Sequence, residues 1–289
     1  MIRTFIFLAV GTALLLSTSR LQAEGVFTGE YTIDETYVGN GEVQRGLRSE
    51  RDFDENEALL RFVLTPRVKI GILRLGVEYQ RYDFGFGSSA QLPDNLQSVS
   101  AVVGLDTQLS DSILIRLEAQ PGIYGQDLSS GFNLPFIVGG TYIYNPDVQF
   151  IAGASVDVQR KYPIIPAVGV RWKISRQWVL NAVVPTPRLE YELNKNVKLY
   201  AGATLKGGSY RVNDNFGSDR GISRLNNAVL SYSEIRTGLG ADWKVSEAFS
   251  LNLEGGYQPY RDFDFYRANV RYHQDGGAPY GTISLHGAF

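Results

Sequence analysis

The 289-residue sequence has no cysteine, one methionine and two histidines, His273 and His286. The missing cysteine excludes a disulfide scaffold, a thiol nucleophile and any thiolate metal site. Two histidines leave little material for an imidazole-based metal or catalytic centre. An excess of one charge is missing too. The 28 Lys+Arg face 30 Asp+Glu without a basic block, which argues against nucleic acid as a main partner. No P-loop, dinucleotide fingerprint, His-Glu-x-x-His zinc motif or calcium loop occurs. No cofactor is expected. Hydrophobic residues at 44% and regular aromatics exclude disorder.

Residues 1–23 read differently from the rest. Arg3 gives a positive start, residues 5–16 are apolar apart from Gly11 and Thr12, and Ala23 offers a cleavage point before Glu24. This is the pattern of a secretory signal peptide, too short in its apolar core for a membrane span. The expected organisation is a signal peptide over 1–23 and one domain over 24–289. Losing Arg3 and Arg20 leaves 26 bases against 30 acids, a net charge of −4.

From Glu24 onward no apolar run reaches the roughly 20 residues of a membrane helix. Instead apolar residues recur at every second position, the strand period. Val99, Ala101, Val103 and Leu105 alternate with Ser98, Ser100, Gly104 and Asp106. Leu73, Leu75, Val77 and Tyr79 oppose Arg74, Gly76, Glu78 and Gln80, and the same pattern repeats along the chain. The windows run to about ten residues, the length that crosses a bilayer at a tilt, where soluble strands average about five or six. Tight turns near residues 110–112, 145–147, 175–177, 194–196 and 244–248 alternate with longer loops near 85–96, 125–133 and 207–227. That asymmetry, charges at mid-strand and a terminal Phe289 favour an all-β transmembrane antiparallel up-and-down barrel over a secreted sandwich. Phe289 is the kind of C-terminal aromatic that barrel-assembly machinery is expected to read, although Gly287 stands where a second aromatic is usual.

Counting back from Phe289 gives thirteen strands, and a weakly alternating segment at 26–38 makes fourteen. Twelve is the alternative if the short pair around Val184-Pro185-Thr186-Pro187 is not counted, since proline fits a ladder badly. The charged stretch 40–56 reads as a solvated outer loop, with a lumen plug as the lesser option. Trp172, Trp178, Trp243 and Phe249 flank the tight turns, as interfacial girdles do.

Several segments in combination carry a family resemblance. They include Val168-Gly169-Val170-Arg171-Trp172, Pro185-Thr186-Pro187-Arg188-Leu189-Glu190-Tyr191, Gly207-Gly208-Ser209-Tyr210-Arg211-Val212 and Arg261-Asp262-Phe263-Asp264-Phe265. Tyr79-Gln80-Arg81-Tyr82-Asp83-Phe84 extends the match toward the N-terminus. Together they resemble a bacterial outer-membrane β-barrel family of unknown function, domain of unknown function 6268. The resemblance implies fold and compartment, the outer membrane of a Gram-negative-type bacterium, and transfers no functional residues.

Charges cost about 2–4 kcal/mol on the lipid face for Arg or Lys, so the alternation assigns them to the lumen. The lumen-lining candidates are Arg74, Glu78, Asp106, Arg116, Glu118, Arg171, Lys173, Lys198, Glu234, Arg236 and Glu254, with Asp157 and Asp242 beside them. Pairing across the 110–112 turn should set Asp106 opposite Arg116, and Arg236 should lie diagonal to Glu254. The favoured reading is a narrow channel or solute-uptake pore with a charged polar lumen. The alternative is a non-conducting structural or surface-binding barrel using loops 85–96, 125–133, 207–227 and 261–279. Expected partners are outer-membrane lipid and lipopolysaccharide, the barrel-assembly machinery and small polar solutes. An enzyme is not expected: Ser284 and His286 share a face, but a lone rim histidine is usually a wall residue. Asp262 and Asp264 read as a solvated loop, with a weak calcium site as a minor option.

Overall fold

The computed structural model describes residues 28–46, 48–86 and 91–289; the expected signal peptide lies outside them. Among the described residues there is no α-helix, only the 3-10 turns Ser218–Arg220, Ser223–Leu225 and Tyr266–Ala268. One sheet closes into a barrel of fourteen strands. They are β1 Gly29–Arg45, β2 Arg48–Leu64, β3 Gly71–Gly85 and β4 Asn95–Ser110. Next come β5 (Ile113–Ala119 continued by Gly122–Gly125), β6 (Phe132–Asn133 and Phe136–Asn145), β7 Val148–Val156 and β8 Ile164–Lys173. The circle is completed by β9 Trp178–Val183, β10 Arg188–Asn194, β11 Val197–Arg211, β12 Val229–Lys244, β13 Phe249–Phe265 and β14 (Val270–Asp275 and Ala278–Ala288). The described part of the segment expected at 26–38 lies in a full strand, Gly29–Arg45. The proline-flanked pair is β9 and β10, joined by a rim turn over 184–187.

Closure joins the first strand to the last. The β1–β14 register runs from Glu30↔Ala288 to Val38↔Tyr280. The Gly29 N–H donates to the Phe289 carbonyl at 2.9 Å, and Phe289 returns the bond at 3.0 Å. The Phe289 ring stacks on Phe62 of β2, 5.6 Å between centroids. Gly287, at the position where a second aromatic is usual, lies opposite Tyr31, whose ring fills the space a Cβ would take. The outer surface is thus completed by an aromatic from the neighbouring strand.

Alternation divides the two faces. Outward residues of β3 run Leu73, Leu75, Val77, Tyr79 and then Arg81 and Asp83; those of β12 run Trp243, Ala241, Leu239, Thr237, Ile235 and then Ser233 and Ser231. Large apolar side chains such as Val77 and Leu239 are exposed on that face, while Arg74, Glu118, Glu234 and Arg236 are buried on the other. An apolar belt with exposed Trp172, Trp178 and Trp243 near the tight turns is the outside of a membrane barrel.

Strand length is uneven. β7 and β8 have 9 and 10 residues, the length of a bilayer crossing. By contrast β1, β2 and β13 have 17 each and rise well past the belt. Three expectations are corrected here. Segment 40–56 is a hairpin, not a loop: its charges alternate, so Glu55 faces inward while Asp54 faces out. Residues 207–211 belong to β11, which shortens the next loop to 212–228. Residues 261–265 belong to β13, and Asp262 and Asp264 pair with Arg271 (2.7 Å) and Lys161 (2.6 Å), so they are no solvated acidic loop.

The tall strands also pinch together. At their outer ends β5 and β11 meet across the ring: Arg211 pairs with Gly125, and the Gln126 N–H donates to the Arg211 carbonyl at 2.9 Å. Setting aside the five strands β6–β10 leaves nine that close on themselves above the belt. Their interior is solid. Val43, Phe53, Tyr82, Phe84, Leu96, Tyr124, Tyr210, Leu230, Tyr232, Phe263, Phe265, Val270 and Tyr272 form one buried cluster to which every one of the nine contributes. Loop residues Leu92, Val212, Phe216 and Leu225 cap it. About eight strands is the size that side chains fill.

Candidate functional site: a divided lumen

Beneath the aromatic column the inward charges form linked networks. Arg61 donates to Glu78 at 2.6 Å and to Glu118 at 2.7 Å. Arg74 reaches Glu118 at 3.2 Å and also pairs with Glu30. Arg116 grips Asp106 with two bonds of 2.7 and 2.8 Å, the partner expected from the register. Three arginines and four carboxylates thus tie β1 to β5. Desolvation largely offsets the attraction in such pairs, but removing one partner is costly because the other charge is stranded.

A second network crosses the lumen. Arg236 of β12 pairs with Glu55 at 2.9 Å, Glu57 at 2.7 Å and Glu234 at 2.8 Å. Lys206 meets Glu57 at 2.9 Å and Arg261 meets Glu55 at 3.2 Å. The carboxylates of Glu55, Glu57 and Glu234 lie within 4.8 Å of one another, a spacing a metal could use. Three cations of the chain itself already balance those three acids, so the donor set suits guanidinium rather than a metal ion. Aromatics bind this layer to the column: the Tyr232 hydroxyl donates to Glu55 at 2.8 Å, and Arg261 lies over Phe53, 4.8 Å from its centroid.

Arg236 does not lie diagonal to Glu254: the β12–β13 register sets Glu254 opposite Gly240, four residues away, and Glu55 and Glu57 come in from the β1–β2 hairpin to pair with Arg236. Glu254 instead accepts from the hydroxyls of Tyr200 at 2.5 Å and Tyr280 at 2.6 Å, with Arg188 at 3.6 Å. Lys198 lies 3.7 Å from Glu192, and Asp242 accepts from Asn252 at 2.6 Å. Arg171 and Lys173 have inward positions and make no ion pair among the described residues. Asp157 lies just past β7, where it accepts from Asn133 at 3.0 Å and Ser209 at 2.7 Å. Sequence reasoning missed Glu30, Glu55, Glu57, Arg61, Lys206 and Arg261, although period two extended through 48–64 would have turned Glu55, Glu57 and Arg61 inward.

At the tight-turn end the lumen opens into a vestibule of about 640 Å³ lined by Glu30, Thr32, Lys198, Asp242, Lys244 and His286 among others. The His286 ring nitrogen lies 3.3 Å from the Thr32 hydroxyl, a wall contact. Opposite the column, the inner face of β5–β8 stays accessible. Leu114 is 40% exposed although it points inward, and the Arg116 side chain is 52% exposed. Inward glycines do more than leave room. A Cβ at Gly153 or Gly169 would run into the neighbouring strand's carbonyl, at Val138 or Ala182, so glycine is what lets those strands coil tightly.

The fold is a closed fourteen-strand antiparallel β-barrel. Among solved structures, the P. putida toluene transporter TodX is similar with 9% identity over 92% of this chain and 91% of that one, TM-score 0.46. The KdgM porin is similar with 9% identity over 89% and 99%, TM-score 0.36, and the NanC porin with 11% over 88% and 98%, TM-score 0.39. At these levels no substrate is carried across. No curated protein matches the chain. The sequence pattern of one family spans residues 42–275, and the chain belongs to that family, DUF6268, a domain of unknown function.

Proposed function

We propose that the protein is an outer-membrane channel for small polar solutes, reached in the cell through the signal peptide at 1–23 and the barrel-assembly machinery reading Phe289. Lipid and the lipid part of lipopolysaccharide cover the apolar belt. The tight turns and both strand ends near Gly29 and Phe289 face the periplasm, as in barrels of this type. One observation carries the reading. An inward surface that includes Leu114 and Arg116 is accessible inside a closed barrel, so the interior is not filled throughout. The solid column favours the second reading, a non-conducting structural barrel. Proteoliposome swelling with small sugars, alongside planar-bilayer conductance, separates the two. Entry of solutes supports the channel. Vesicles that stay impermeable, with and without loop residues 213–227, support the structural barrel.

A further inference from the structure

The pinch between β5 and β11 splits the barrel into unequal parts. The nine-strand column is filled by residues from each of its strands. The arc β6–β10 contributes nothing to that cluster. Its inward residues Ile137, Thr141, Ile151, Ser155, Ile165 and Ala167 are all partly accessible, although their outward neighbours already face lipid. Side chains accessible on the inside of a wall line a cavity. The outer half of its surface is aliphatic with neutral polar groups; the arc's inward charges, Arg171 and Lys173 of β8 and Arg188, Glu190 and Glu192 of β10, lie nearer the tight turns.

The two parts are sealed at the outer end by different chemistry. The column is shut by interlocked aromatics. The arc is roofed by loop 157–163, which lies against the outward face of β11–β13 through polar contacts. Arg160 donates to the Tyr232 carbonyl and the Ser233 hydroxyl, both at 3.3 Å. Lys161 reaches Asp264 at 2.6 Å, and the Tyr266 hydroxyl donates to the Gln159 carbonyl at 3.2 Å. Water can replace such contacts one by one as the loop lifts, whereas opening the column would expose a whole apolar cluster.

We infer that the side compartment behind β6–β10 is the solute pathway, that loop 157–163 is its gate, and that its outer half favours small neutral molecules over ions. The column is a fixed post. This rests on the channel reading and names its route. The aliphatic and neutral lining of that outer half offers nothing to replace an ion's hydration, while hydroxyls of a small polyol can bond to Thr141 and Ser155 and its carbon skeleton can lie on the isoleucines.

The test uses the absence of native cysteine. In the refolded full-length barrel, Ala167→Cys should react with a small polar maleimide, and Ser98→Cys, buried on the column side, should not. The Arg160→Ala/Lys161→Ala variant should admit arabinose roughly fivefold faster than the parent in swelling assays, the population change expected from losing about 1 kcal/mol with one half-exposed ion pair and its neighbours. Its single-channel conductance should stay small. A Lys161→Cys/Asp264→Cys pair bridged by a disulfide-containing bis-maleimide should slow entry, and cleaving the linker with reductant should restore it, which keeps the test valid if the alanine variant folds poorly. An inert Ala167→Cys, or entry that changes only when residues 213–227 are deleted, overturns the side route and leaves the channel standing. Labelling at Ala167→Cys with no entry in any variant overturns both.

Discussion

Arg236 offers the sharpest test of how the interior is held. Its side chain is 3% exposed and touches three carboxylates, each under 3 Å away. Arg236→Ala leaves Glu55, Glu57 and Glu234 facing only Lys206 and Arg261, three negative charges against two positive. Breaking a buried pair in this way costs about 3–5 kcal/mol, mostly the stranded charge rather than the lost attraction. Neutralising one acid should repair the imbalance. Arg236→Ala/Glu234→Gln restores two against two and should recover about 1–3 kcal/mol, a coupling typical of residues in one network. Urea unfolding of the refolded barrel in detergent, followed by the fluorescence of Trp172, Trp178 and Trp243, measures both variants. If Arg236→Ala loses less than about 1 kcal/mol, or the double variant is weaker than the single, the charges are solvated and the network described here is not what fills the barrel.

Other consequences are testable by the same unfolding assay. Leu239, 69% exposed and four residues from Trp243, sits within the belt; Leu239→Arg should cost about 2–4 kcal/mol and Leu239→Ala much less. Glu35 interrupts the outward face of β1, exposed between Ala58 and Ile283, so Glu35→Leu should raise stability, by about 1–2 kcal/mol given that acids cost less than bases in lipid. Phe289→Ala removes the ring stacked on Phe62 and should shift unfolding by about 1 kcal/mol. The same change should lower the assembled yield in cells several-fold, read by surface proteolysis; an unchanged yield would show that the machinery ignores this residue.

The barrel was legible because one physical signal repeats around it. Lipid outside and polarity inside impose period two on every crossing strand, and β3, β4, β7 and β11 show it in full. Phe289 and the tight turns marked the ends. What failed were the places where the chain leaves the membrane. Above the belt both faces of a strand are polar or aromatic, so 40–56, 207–211 and 261–265 lose the contrast that marks strands and read as loops. The Asp106–Arg116 pair was readable because a hairpin sets its register locally. The Arg236 cluster was not, because Glu55 and Glu57 reach it from across the ring and no local pattern encodes that distance. The aromatic filling was hidden for the same reason: Phe53, Tyr82, Tyr210 and Phe263 each look like ordinary strand aromatics until the β2–β3 pair is brought together with β11 and β13 from the far end of the chain.

Parity explains an oddity at the pinch. In an up-and-down ring, neighbours run in opposite directions, so only an even number closes without a mismatch. Nine is odd, and β5 and β11 point the same way, which is why the Arg211–Gly125 contact is parallel. Slanted parallel bonds need a different register from the ladders on either side and hold slightly less per residue, and here the pairing spans a single residue pair. The upper cylinder therefore has one seam that is weaker than its other joints. If force or denaturant reaches the part above the membrane first, it should unzip there, swinging β11 away from β5 while the fourteen-strand hoop below stays whole.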